Sequence, residues 1–164
     1  NVDGSGVARV AQYFGIEISK GAILGIIGGG SAARSTAYTW QQLGGRIKVF
    51  GGNRQLSDYT WLETINEGEK SCDIFINFDD DTIPSDVNVT GYIMKSKYHP
   101  IHGEHSDRIA KVTNGAIDGR WLLAAQHLES WSQLWAPQFA DLLPPLDLLM
   151  SMLITAESVL ASYS

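Results

Sequence analysis

Cysteine, positive charge and long apolar runs are all scarce in this sequence, and each scarcity excludes something. Cys72 is the only cysteine in 164 residues, so no internal disulfide can form, which suits a reducing compartment. Basic residues number 12 against 18 acidic ones, and the resulting formal charge of −6 repels phosphate backbones and argues against general nucleic-acid binding. No apolar run reaches the roughly 18 residues of a membrane span. The most apolar stretch, 142–160, is broken by Pro144, Pro145 and Asp147. The expectation is a cytoplasmic chain with no membrane partner. What is present is enough apolar material, 44% of residues, to build a core.

The apolar pattern alternates between helix and strand. Val7, Val10, Ala11 and Phe14 recur at helical spacing before Gly15. Residues 22–27 (AILGII) form a continuous apolar run, as expected of a strand buried on both faces. Ser31 is a candidate cap for a helix over Ala32–Leu43, which Gly44 and Gly45 end. A second strand is predicted at Arg46–Phe50, a helix around Asp58–Asn66 and a third strand at Asp73–Phe78. A further strand is expected at Thr90–Lys95. Asp118 is placed to cap a helix running to about Trp135, and an amphipathic helix follows Pro145. This order implies an α/β fold with a mostly parallel, doubly wound sheet and helices on both faces.

The turn after the first strand carries chemistry. Gly28-Gly29-Gly30-Ser31-Ala32-Ala33 fits G-x-G-x-x-A between a strand and a helix. Gly28 permits the tight turn, Gly30 lets the backbone approach a pyrophosphate, and Ala33 lets the helix lie on the strand. The amides of Ser31, Ala32 and Ala33 then point at the phosphates. This is the dinucleotide-binding arrangement of Rossmann-like folds. The second strand ends in Gly51-Gly52-Asn53-Arg54-Gln55, with no carboxylate before Asp58 to hold a ribose 2′-hydroxyl. A guanidinium there pairs with a 2′-phosphate, so Arg54 favours NADP over NAD, with Asn53 available to the ribose or adenine.

Several segments together resemble the shikimate dehydrogenase family. Asn1-Val2-Asp3-Gly4 is similar to its Asn-Thr-Asp-Gly, and Gly28 to Arg34 to its glycine turn. Asn53-Arg54-Gln55 is similar to its Asn-Arg-Thr, Ile76-Asn77 to part of its Ile-Asn-Ala-Thr, and Tyr98-His99-Pro100 to its Tyr-x-Pro. Asp118 to Gln126 is similar to its Asp-Gly-Leu-Gly-Met-Leu-x-x-Gln helix start. The resemblance covers residues 1 to about 135 and implies NADPH-dependent reduction of 3-dehydroshikimate to shikimate. It implies that Asp3 is the acidic partner of the catalytic pair. Gln55 and Asn77 join Gly28, Gly30, Ser31, Ala32, Ala33, Asn53 and Arg54 at the cofactor, and Tyr98 and Gln126 contact substrate.

Hydride arriving at a carbonyl leaves an alkoxide that needs a proton, which a lysine held by an aspartate supplies. In the family that lysine lies upstream of the Asn-Thr-Asp-Gly motif, so the resemblance implies a truncated piece that binds nucleotide without turnover. Residues 1–117 are then the dinucleotide-binding domain, and 118–164 are helices that pack on a substrate domain outside the piece. Their exposed apolar faces are expected to favour a homo-oligomer.

The sequence departs from the family in four places. Phe78-Asp79-Asp80-Asp81 replaces small residues after the third strand, Lys95 replaces an aspartate, Gly103 a threonine, and Trp121 a glycine near the nicotinamide position. A non-catalytic module sensing nucleotide or pathway metabolites is the alternative to an enzyme. His99, His102 and His105 read as a solvated loop and Asp79–Asp81 as a polar turn, so no metal is expected.

Overall fold

β1 (Ile23–Ile27) carries no polar side chain, and all five of its residues are buried. The computed structural model describes residues 2–56, 59–65, 71–80, 82–98, 112–113 and 115–162, and it sets β1 inside a parallel sheet. β2 (Arg46–Val49) and β3 (Ser71–Asn77) flank it, Leu24 standing between Ile47 and Ile74 in register. β4 (Asn88–Lys95) pairs with β3, and β6 (Ala116–Ile117) with β4, all in parallel. The short β5 (Val112–Thr113) runs antiparallel to β6 and ends the sheet. The order is β2-β1-β3-β4-β6-β5. From β1 the chain goes to one side for β2 and returns past it for β3, so the winding reverses between β1 and β3. This is a Rossmann-like α/β fold.

The described helices share one core. α1 (Asp3–Tyr13), α2 (Ser31–Gln42), α3 (Gly119–Ser130) and α4 (Leu146–Ala161) all bury residues in a cluster with Leu24, Ile26, Ile47, Ile74 and Ile76 of the sheet. Leu122, Ala125 and Leu128 of α3 belong to it. α1 packs against both α2 and α3. At Gly4 it touches α2 so closely that a Cβ would strike the Ser35 carbonyl, and the Gly4 amide donates to Ser35 Oγ at 3.1 Å. On the opposite sheet face Ile23, Ile27, Cys72 and Phe75 are covered by Phe50, Ile65, Val87 and Val89.

Three local expectations are corrected. No helix occupies the described residues 59–65. Thr64 instead bridges Ile47 in parallel, and the Ile65 amide donates to the Ile47 carbonyl at 2.9 Å. Trp61 packs against Tyr38 and Tyr59, and Gln41 Nε2 donates to the Glu63 carbonyl, so contacts with α2 hold the segment open beside β2. Ser31 is the first residue of α2 rather than its cap: Gly30 takes that position, and no side chain caps the helix. α3 stops at Ser130 and widens into a π turn over Trp131–Trp135, because Pro137 forces Ala136 out of helical geometry (φ −147°, ψ 57°).

Candidate functional site

The carboxyl edge of the sheet collects the candidate residues. Gly28 follows β1, Asn53 and Arg54 follow β2, Asn77 closes β3 and Tyr98 follows β4. Ligands of open α/β sheets bind at this edge, in the crevice where the winding reverses. Here the winding reverses between the ends of β1 and β3, and the glycine turn stands beside that point.

Each glycine of the turn has a different local reason. Gly28 has φ +104°, a left-handed conformation, and its amide donates to the Gly51 carbonyl at 3.1 Å. A Cβ on Gly29 would lie 2.6 Å from the Arg54 carbonyl oxygen, so the loop after β2 leans on the turn. Gly30 has an ordinary φ of −72°, and a Cβ there would meet only Arg54 Nη1, at 4.0 Å. Among the described residues nothing requires Gly30 to be glycine. Ala33, in the first turn of α2, is fully buried. The first amides of α2 have no partner within the helix. Arg54 is exposed, with its guanidinium beside Gly30. Arg34, the last residue of the turn motif, is engaged elsewhere: its Nη1 donates to the Tyr59 hydroxyl at 2.7 Å.

The β3 turn is organised by Asn77, which is buried. Its Oδ1 accepts from the amides of Asp79 and Asp80, and its Nδ2 donates to Asp80 Oδ1 and the Thr82 carbonyl. The side chain is thus committed to shaping the loop. Asp80 accepts from the Thr82 hydroxyl and amide, which hold its carboxyl below the usual range. Asp79 turns the other way, and its Oδ2 accepts from the Asn53 amide at 2.6 Å. Sequence reading flagged this acidic loop but not the direction of Asp79.

Asp3 and Gln126, 123 residues apart, meet: Gln126 Nε2 donates to Asp3 Oδ1 at 2.9 Å. Next to Asp3, the Gly4 amide meets Ser35, which lies about one helical turn along α2 from Ser31. Tyr98 donates to Glu157 Oε1 at 2.6 Å, and the carboxylate pushes its phenol above the ordinary value. Glu157 also accepts from Arg120, which is 1% exposed and bonds Asp118 as well. Glu157 and Arg120 were missed in the sequence, where nothing local links them. Trp121 is buried, stacked on Tyr13 with centroids 5.0 Å apart and meeting the edge of Phe14. Gln55 is exposed, and residues 99–111, with their three histidines, lie outside the described residues. Among the described residues no three His, Cys, Asp or Glu side chains converge as metal ligands, and no helix is long and apolar enough to cross a membrane.

No family model matches the chain, and no curated protein matches it. Solved structures share its fold. The dehydroquinate dehydratase and shikimate dehydrogenase from S. pombe AroM aligns with a TM-score of 0.61 at 18% identity, over 92% of this chain and 33% of that one. The hetero-hexameric glutamate dehydrogenase from Thermus thermophilus, in its leucine-bound form, aligns at 0.51 and 15% identity, over 94% of this chain and 45% of that one. The chain thus spans a third to under half of these proteins, and at such identities the likeness is one of fold.

Proposed function

We propose that this chain is the nucleotide-binding part of a nicotinamide-dependent oxidoreductase of the shikimate dehydrogenase kind. NADP(H) is preferred over NAD(H), and the substrate of the longer protein belongs to the 3-dehydroshikimate/shikimate class. Gly30 carries the reading. It stands at the N-terminus of α2 with an ordinary φ and open space where its side chain would be. The likeness to two dehydrogenase structures and the motif order support the same assignment.

The residues fit a dinucleotide on this side of the crevice. The amides of Ser31, Ala32 and Ala33 would hold the diphosphate, aided by the helix dipole. Arg54 would pair with the 2′-phosphate beside Gly30. The bound nicotinamide would supply hydride. Asp3, oriented by Gln126, would hold the proton-donating lysine of the longer protein. Self-association through the apolar faces of the last helices belongs to the same reading.

Calorimetric titration of NADPH and NADH tests it. The native chain is expected to favour NADPH by about tenfold, the scale of one charge-assisted contact. Arg54→Ala should abolish the preference. Gly30→Ala should weaken both cofactors while changing folding stability by no more than about 1 kcal/mol, the scale of an N-cap change. Equal binding of both cofactors by the native chain would remove the NADP assignment, and full affinity in Gly30→Ala would remove the glycine turn from the site.

A further inference from the structure

Asp79 faces the wall on which the diphosphate would settle. Its Oδ2 holds the Asn53 amide at 2.6 Å and lies 3.0 Å from the Cβ position of Gly52. Its Oδ1 lies 3.1 Å from the Cβ position of Gly28. Gly28 and Gly52 have φ values of +104° and +133°, so both loops bend around this carboxylate where a side chain would crowd it. The Asp79 main chain is pinned, its amide to Asn77 Oδ1 at 2.9 Å and its carbonyl to Lys97 Nζ at 3.3 Å. Asp80 is turned into its own loop by Thr82 and Asn77. Of the two carboxylates, only that of Asp79 reaches the glycines.

We propose that Asp79 is a latch on the nucleotide cleft. Its carboxylate ties the loop after β2 to the glycine turn and opposes an arriving phosphate, and the cleft opens fully when that side chain rotates away. This rests on the dinucleotide reading above. The pinned backbone confines the motion to the side chain, and the group released is the Asn53 amide, next to the Arg54 that would take the 2′-phosphate. Fixed negative charge at this place selects against weakly held anions, so Asp79 sets the threshold affinity of the site.

Two variants of the full chain separate charge from tether. Asp79→Asn keeps an acceptor for the Asn53 amide and removes the charge, whereas Asp79→Ala removes both. NADPH should bind Asp79→Asn about three- to tenfold more tightly than the native chain, with the gain shrinking at high salt. Without nucleotide, Asp79→Ala should speed hydrogen exchange at the Asn53 amide, and Asp79→Asn should change it less. Unaltered exchange in Asp79→Ala, or equal or weaker NADPH binding by Asp79→Asn, overturns the latch. Accelerated exchange with no NADPH binding by any of the three proteins supports the tether and sinks the dinucleotide reading instead.

Discussion

Thr36 is fully buried in α2, and its hydroxyl has no hydrogen-bond partner among the described residues. A desolvated hydroxyl without a partner costs stability, and valine keeps nearly the same shape. Thr36→Val is expected to stabilise the fold by about 1 kcal/mol, read as a higher urea midpoint at unchanged slope. Cys72 is the opposite kind of residue, an apolar filler whose thiol burial pushes up to about 11, so it carries no nucleophile at neutral pH. Residue identities were legible in the sequence where backbone conformation dictates them, as at Gly28. They were not legible where one rotamer decides. Asp79 and Asp80 are adjacent and chemically identical, and the loop from β2 on one side and Thr82 with Asn77 on the other send them apart.

Elements with strong periodicity stand where the sequence placed them. β1, α2 and the start of α3 follow from an apolar run, a glycine-bounded helix and the cap of Asp118, whose Oδ1 accepts from the Arg120 amide. The segment at 59–65 was unreadable because its contacts are with α2 and β2, far away in sequence. The docking of α4 was unreadable for the same reason, since Arg120, Glu157 and Tyr98 come from three separate segments. That docking should be alkali-sensitive. The Tyr98 phenol must stay protonated to donate to Glu157, and its folded pKa is raised above the ordinary 10.0. Its contribution is therefore complete below that value and lost as pH rises through the folded pKa. Between about pH 8 and about pH 11, native protein should lose more of its urea midpoint than Tyr98→Phe does. Equal losses would remove the phenol from the docking.

The molecule as a whole shows an apolar face at its last helices. Trp131, Leu134, Trp135, Phe139 and Leu142 are exposed, and beside them a cleft of about 490 Å³ is lined by Leu123, Leu128, Leu149 and Leu153 among others. Under the proposed function a second copy would cover this face. Sedimentation is expected to show concentration-dependent self-association, and the double change Leu134→Glu and Trp135→Glu should return a monomer. A native chain that stays monomeric across the concentration range would count against that partner.

The strip at Thr64 and Ile65 has a bearing on what kind of assembly that is. It occupies hydrogen-bonding positions along the outer side of β2, where another molecule would otherwise dock backbone to backbone. With that margin already taken, growth by strand stacking is discouraged on this flank. Crowded solutions should then yield discrete particles rather than threads.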